Sequence, residues 1–457
     1  MINTTTEFII GLFILVASGV LVGELCTHLG QAPLVGQLLV GVMLGPSLLG
    51  PALGITSAAV TPEFSGLETL ATFFVLLMAG LTISPKELRA TGLPAALLGV
   101  AIFFVPFLAG AGVIHLLYPS FSSTLDLFVA LTVSITALPV LGIMLREMEL
   151  LDTPFGALMM SASVVNELCA VSVFAVLLRV NAGGGATIVT SSALAVGSVL
   201  LFLGTMLAIY LLLRWVGRRP GWTKFVKGFR ATWNSREAGF ALLIIAGLGA
   251  ALYSQYLGLT FVVGAFYAGI VVTPEITGRK VHTSITTIFE AVSWGFFIPL
   301  FFVLVGYGTN FQSLATSDLE IGAFVALVVF AVVSKFLVGS SVGLALGKSS
   351  EESFSIGFLV ISRGAVELAM AVTLLSAGVF TTTTFTIVAG VGLVTTIIAP
   401  IGARPLVRSM QASTHRARRG SGDVSEWSGF LPIPPKSARG TAADAPPDDS
   451  RPPLPRA

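Results

Sequence analysis

The sequence predicts an all-α polytopic membrane protein, and three observations lead there. Only 11% of the 457 residues are charged and 54% are hydrophobic, for a mean hydropathy of +0.93. A soluble domain carries about 25% charged residues, so a chain this long has too little charge to cover a surface facing water. The apolar residues also fall into runs of roughly 17–25 residues, the length that crosses a bilayer. Finally, lysine and arginine collect in alternate loops, the pattern of inserted helical proteins. A net charge of +2 gives no ground for a nucleic-acid partner. Cys26 and Cys169 lie within apolar runs, as small core residues rather than a disulfide. The sequence has no His/Cys cluster, Ser–His–Asp arrangement or phosphate loop, so neither an enzyme nor a cofactor is expected.

Taken in order, thirteen apolar segments are expected near 8–28, 33–49, 67–83, 94–117, 125–146, 156–179, 190–215, 238–253, 258–273, 285–307, 320–346, 354–377 and 382–403. The first follows "MINTTTEFII", which lacks the basic region of a cleaved signal peptide, so it is read as a retained span. The second, eighth and ninth are short for a simple span. The fifth contains Pro139, which has no N–H to donate to the Ile135 carbonyl. The helix is therefore expected to kink or unwind around residues 135–139. The twelfth is interrupted by Gly364 and its polar neighbours in "ISRGAVELAM".

With the N-terminus outside, the inner loops hold Lys86, Arg89 and Arg146, then a cluster of Arg218, Arg219, Lys224, Lys227, Arg230 and Arg236. Arg279, Lys280 and Lys348 follow on the same side, and Arg179 is the main exception on the other. This places the C-terminus inside. From about Gln411 the chain turns rich in Pro, Ser, Gly, Asp and Arg. Residues 411–457 are thus expected to be a disordered cytoplasmic tail behind a transmembrane domain of residues 1–410.

An internal repeat is visible. "VGQLLVGVMLGP" (Val35 to Pro46) and "VGAFYAGIVVTP" (Val263 to Pro274) share one spacing of Val-Gly, Gly and Pro at an offset of 228 residues. They belong to segments two and nine. An odd separation means that the two copies enter the membrane in opposite directions. Inverted repeats of this kind place a substrate near the midplane, where broken helices from the two halves meet. The same offset carries Thr136, beside Pro139, onto Gly364, so the fifth and twelfth segments are expected to be paired broken helices.

An ionisable group at the centre of a membrane helix costs at least ~2.5–3.5 kcal/mol and is a functional candidate by default. The deep ones are Glu167, Lys335, Arg363 and Glu367; Glu24 and Glu290 are expected to be structural. Glu167 is read as a carboxylate that alternately holds a cation and a proton, against the plainer reading of an acid paired with Lys335 or Arg363. Asn166 would offer an amide oxygen to a hard cation, and Thr136 a hydroxyl or carbonyl. Lys335 is expected to neutralise Glu167 or the C-terminus of a half-helix. Arg363 and Glu367 share a helix face at i, i+4 and are expected to pair, with gating a secondary role.

At this point the sequence resembles the monovalent cation:proton antiporters, in particular their bacterial sodium/hydrogen exchanger and potassium-efflux branch. The likeness rests on "LTVSITALPVLGIMLREMELLDTPFGALMMSASVVNEL", "GQAPLVGQLLVGVMLGPSLLG", "FFVLLMAGL", "LGLTFVVGAFYAGIVV", "GFFIPLFFVLVG" and "SRGAVEL", in order from about residue 8 to 405. The resemblance implies thirteen helices in a dimerisation and a core domain, with crossed helices five and twelve flanking an acid on helix six. It also implies elevator-like movement of the core. Glu167 then takes the position of the essential aspartate, Asn166 the residue before it, Lys335 the helix-eleven lysine and Arg363 the arginine of the second broken helix. Two departures stand out. This chain has Asn-Glu where the family usually has Asp-Asp or Asn-Asp. It also has Ala162 where a glutamate partner for the arginine often lies, which leaves Glu367 to that role.

The expectation is thus a homodimeric inner-membrane antiporter in contact with lipid, exchanging Na⁺ or K⁺ for H⁺. A single acid suggests one cation for one proton, hence electroneutral exchange. A transporter of another solute such as an organic anion, or a non-transporting sensor, are the alternatives.

Overall fold

The computed structural model describes residues 4–46, 49, 62–83, 85–182, 188–217, 236–274, 279–313 and 318–420, and every regular element among them is helical. The helices are α1 (Thr4–His28), α2 (Pro33–Leu44), α3 (Pro62–Leu81), α4 (Pro85–Leu117), α5 (Ser123–Ser134), α6 (Leu138–Glu147), α7 (Pro154–Ala182), α8 (Ile188–Gly217), α9 (Arg236–Tyr256), α10 (Phe261–Val271), α11 (Arg279–Val292), α12 (Ile298–Tyr307), α13 (Asp318–Ala345), α14 (Ser350–Leu359), α15 (Ala365–Ser376) and α16 (Thr382–Gly420). A π-helical turn, Ser293–Phe297, joins α11 to α12.

Among the described residues, ten stretches are long and apolar enough to cross a membrane; α5 with α6 count as one of them, and so do α11 with α12. The three remaining expected segments appear as shorter apolar helices, α2, α10 and α15. The chain is a multi-pass membrane protein. Three boundaries differ from expectation. The eighth segment, α9, is full length. The tenth is split by the π turn, where Pro299 has no N–H to continue the α-helical ladder. The last helix carries on to Gly420, past the change in composition at Gln411. The basic loop from Arg218 to Arg230 and the rest of the tail, residues 421–457, lie outside the described residues, and so do the side chains of Lys86, Arg89, Arg236, Arg279 and Lys280.

The repeat at offset 228 runs through the whole fold. It carries α2 onto α10, α5 onto α14, α6 onto α15 and the start of α7 onto the start of α16. The caps correspond to within one residue: Ser122 accepts from Leu125 N at the head of α5, and Ser349 forms a capping box with Glu352 at the head of α14. The shared motif has a packing reason. A Cβ on Gly36 would collide with the carbonyl of Val22, and one on Gly264 with that of Ala250, which is the residue 228 positions beyond Val22. Close helix contact through small residues is the usual way to pack helices where lipid removes the hydrophobic drive.

Packing divides the helices into two bundles. In one, α1 and α2 pack on α12, and α3 and α9 on α10. In the other, α4 packs on α5, α7 and α13, and α14 on α13 and α16. Each bundle therefore takes three segments from each repeat, and α8 leans on α7 of the second and, less, on α10 of the first. The core, from Phe103 and Phe128 to Phe266 and Phe301, is aromatic and aliphatic, so its few buried charges stand out.

Candidate functional site

The two interrupted helices cross. Between α5 and α6 the chain is extended at Ile135 and Ala137, with Pro139 in the first turn of α6. Between α14 and α15 it is non-helical from Ser362 to Gly364. Ala137 N donates to Ser362 O at 3.1 Å, and Thr136 Oγ1 donates to Val360 O at 2.7 Å, so the two breaks are bonded to each other. Gly364 lets them approach: a Cβ there would lie 2.8 Å from Val140 Cγ2 and 2.9 Å from Ala137 Cβ.

A broken helix leaves unpaired carbonyls at one end and unpaired N–H groups at the other, and the buried ionisable residues meet them according to sign. At the C-terminal end of α5, Arg363 Nη1 donates to Thr132 O at 2.7 Å and Nη2 donates to Val133 O. Lys335 Nζ donates to Ile135 O and to Thr136 Oγ1, both at 2.6 Å. At the N-terminal end of α6, Glu167 Oε1 accepts from Leu138 N at 2.8 Å. Arg363 Nη1 also pairs with Glu367 Oε1 at 3.0 Å, within the first turn of α15. All four ionisable side chains are buried.

Glu167, Asn166, Thr136, Lys335, Arg363 and Glu367 thus meet at the crossing, and one duty, that of Asn166, differs from expectation. Glu167 pairs with neither Lys335 nor Arg363; both cations serve the α5 terminus instead. Its Oε2 is buried without a hydrogen-bond partner. Asn166 does not hold its amide open. Its Oδ1 accepts from Thr136 N at 2.8 Å and its Nδ2 donates to Ser134 O at 3.1 Å, so the side chain brackets the break where α5 ends and the chain turns extended at Ile135. The Thr136 carbonyl likewise accepts from Ser163 Oγ at 3.3 Å.

The sequence reading missed three contributors. Ser163 is one. Thr396 is another: its hydroxyl accepts from Arg363 N at 3.3 Å and lies 3.2 Å from Arg363 O, bracing the second break as Asn166 braces the first. The third is the buried Asp126 at the far end of α5, with His115 Nδ1 at 3.0 Å from its Oδ2. Asp126 opens an apolar run one residue after its expected start, which was the available signal. Of the acids expected to be structural, Glu24 is exposed beside His28 and Glu290 faces a cleft.

That cleft, about 540 Å³, separates the two bundles. Pro33, Val75 and Trp294 line one side, and the other is α6 along its length, from Leu138 at the crossing to Glu147 at the helix end. A polar contact ties the bundles together at this end: Arg404 of α16 donates to Glu147 Oε2 at 2.8 Å and to the carbonyl of Gly30, between α1 and α2.

Residues 13–409 match the sequence profile of the sodium/hydrogen exchanger family, transmembrane region. The chain belongs to that family. Among its relatives, this family member is 27% identical to the Na(+)/H(+)-K(+) antiporter GerN of Bacillus cereus, over 86% of its own length and 95% of GerN. It is 28% identical to the Na(+)/H(+) antiporter NhaS4 of Synechocystis sp., over 87% and 96%. With Cation/H(+) antiporter 18 of Arabidopsis thaliana it shares 29% over 86% of its length, but spans only 47% of the plant protein. The sodium proton antiporter MjNhaP1 of Methanocaldococcus jannaschii superposes with a TM-score of 0.66, over 89% of this chain and 99% of that one, at 14% identity; that likeness shows the fold. These relatives are transporters, and the family member is a transporter rather than an enzyme.

Proposed function

We propose that the protein exchanges a monovalent cation, Na⁺ or K⁺, for protons, with Glu167 as the shared site. One observation carries the reading: Oε1 of Glu167 accepts from Leu138 N while Oε2 stays buried and unpartnered, and Glu367, the other buried acid at the crossing, has the Arg363 guanidinium as its partner. A buried oxygen in that position is costly as a bare anion, and a bound proton or a bound cation each relieves that cost. Two ligands competing for one oxygen is the chemistry of exchange. A single acid at the crossing without a cationic partner supports one cation against one proton, hence electroneutral turnover. The split into two bundles around a cleft supports an elevator-type movement of the bundle that carries Glu167 against the other, which would also be the dimer scaffold. The names of GerN and NhaS4 support Na⁺ and K⁺ as cargo. The basic loops support an N-terminus outside and a C-terminus inside a bacterial inner membrane.

The test is proton flux in proteoliposomes with an internal pH dye, comparing Na⁺, K⁺ and Li⁺ pulses for native protein and Glu167→Gln. The amide preserves the acceptor for Leu138 N and removes the titratable charge. Cation-triggered pH change that is lost in the variant is the expected result. Equal flux in both would overturn the role of Glu167, and silence of the native chain toward every cation would overturn the exchange. Sensitivity of the rate to an imposed membrane potential would rule out electroneutrality.

A further inference from the structure

Glu290 stands apart from the crossing. It lies nine residues into the apolar span His282–Tyr307, on the bundle opposite Glu167. Its side chain is exposed, forms no ion pair among the described residues and lines the cleft. Of the two carboxylates among the described residues of the cleft wall, Glu147 pairs with Arg404, whereas no ion pair of Glu290 is formed. A bare carboxylate this far into a span costs several kcal/mol against hydrocarbon; it is stable if the cleft holds water.

The pattern of α11 agrees. Thr283, Thr287 and Glu290 are exposed at spacings of four and three, one face of the helix, while Ile285 and Phe289 are buried on another. The polar stripe stops at Glu290. Beyond it the same wall continues as Trp294, Ile298 and Phe302, all apolar, over the π turn and α12. Glu290 is therefore the last polar group on this face of α11 and the one that reaches the cleft, ahead of the apolar stretch of its wall. An unscreened carboxylate in a cleft with low-dielectric walls concentrates counter-ions.

We infer that Glu290 is the entry residue of the cation path, a hydrated carboxylate that gathers monovalent cations in the cleft before one is stripped of water and passed to Glu167. The inference rests on the exchange proposed above. It accounts for an acid on the bundle that carries no part of the crossing, and it assigns the two carboxylates different work. Glu167 binds, whereas Glu290 sets how readily a cation arrives. At the mouth, Arg146 lines the same cleft and acts in the opposite sense.

Two measurements on the full-length chain test it. The first places a cysteine at position 290 in a background with Cys26→Ser and Cys169→Ala, and adds a membrane-impermeant thiol reagent to one side of oriented vesicles. Labelling from the side of Arg146 and Glu147 is expected, and no labelling from either side would overturn the inference. The second measures the apparent KM for Na⁺ and K⁺ in Glu290→Gln. A rise of about three- to tenfold at low ionic strength is expected. It should shrink toward the native value as choline chloride approaches 1 M, where the screening length is about 3 Å, and Glu290→Asp should restore most of it. A native KM in Glu290→Gln, with labelling intact, would show a wet cleft in which this charge does not steer, and the inference would fall. If instead the native chain shows no cation-driven flux, the exchange itself fails, and the two failures are told apart by that control.

Discussion

Asn166 and Glu167 are neighbours in sequence with separate employment. Glu167 meets the first free N–H of α6, whereas Asn166 satisfies one N–H and one C=O of the unwound strand through a single amide. Replacing Asn166 with Ala leaves Thr136 N and Ser134 O buried and unpaired, at about 1–3 kcal/mol each. The expected outcome is a melting temperature several degrees lower in detergent together with severe loss of transport. A variant of native stability and rate would remove Asn166 from the account. The sequence made both residues conspicuous by depth, but depth does not tell which way an amide points. Thr396 was invisible for a related reason: a threonine in a membrane helix usually bonds its own preceding turn, as Thr396 also does with Gly392 O at 2.7 Å, and its second contact, with Arg363, depends on tertiary placement.

Among elements, the broken helices were the most legible, because proline removes a donor and a run of Ser, Arg and Gly interrupts an apolar segment on purely local grounds. Their partnership was legible through the repeat alone. What local rules could not supply was the crossing distance. Gly364→Val should force the two breaks apart, since even a Cβ already meets Val140 and Ala137 below 3 Å. Overpacking of this kind costs about 1–3 kcal/mol, and here it is levied on the site itself, so transport should fall at least tenfold while the protein still inserts and purifies. Wild-type flux in the Val variant would show that the crossing tolerates a wider gap. The π turn was illegible in the sequence because Pro299 sits two residues beyond it and could equally have begun a fresh helix.

For the whole molecule, the consequential contact is the guanidinium of Arg404, which reaches Glu147 on its own bundle and the Gly30 carbonyl on the other. Relative movement of the bundles has to break the second of these bonds. Arg404→Ala should therefore change the rate or apparent affinity of transport by several-fold while leaving the melting temperature within a few degrees; an unchanged transport cycle would show that Gly30 and Arg404 travel together. The repeat has a further consequence for the way the molecule came to be. Offset by 228 residues, Glu167 falls on Thr395, and the guanidinium that caps α5 in the first half is lent by Arg363 in the second. The halves read as descendants of one duplicated unit that have since specialised, one keeping the acid and the other supplying the base. Neither can rebuild the pocket by pairing with a copy of itself, so two fragments divided near residue 225 should regain transport when co-expressed as unlike partners, and never as like ones.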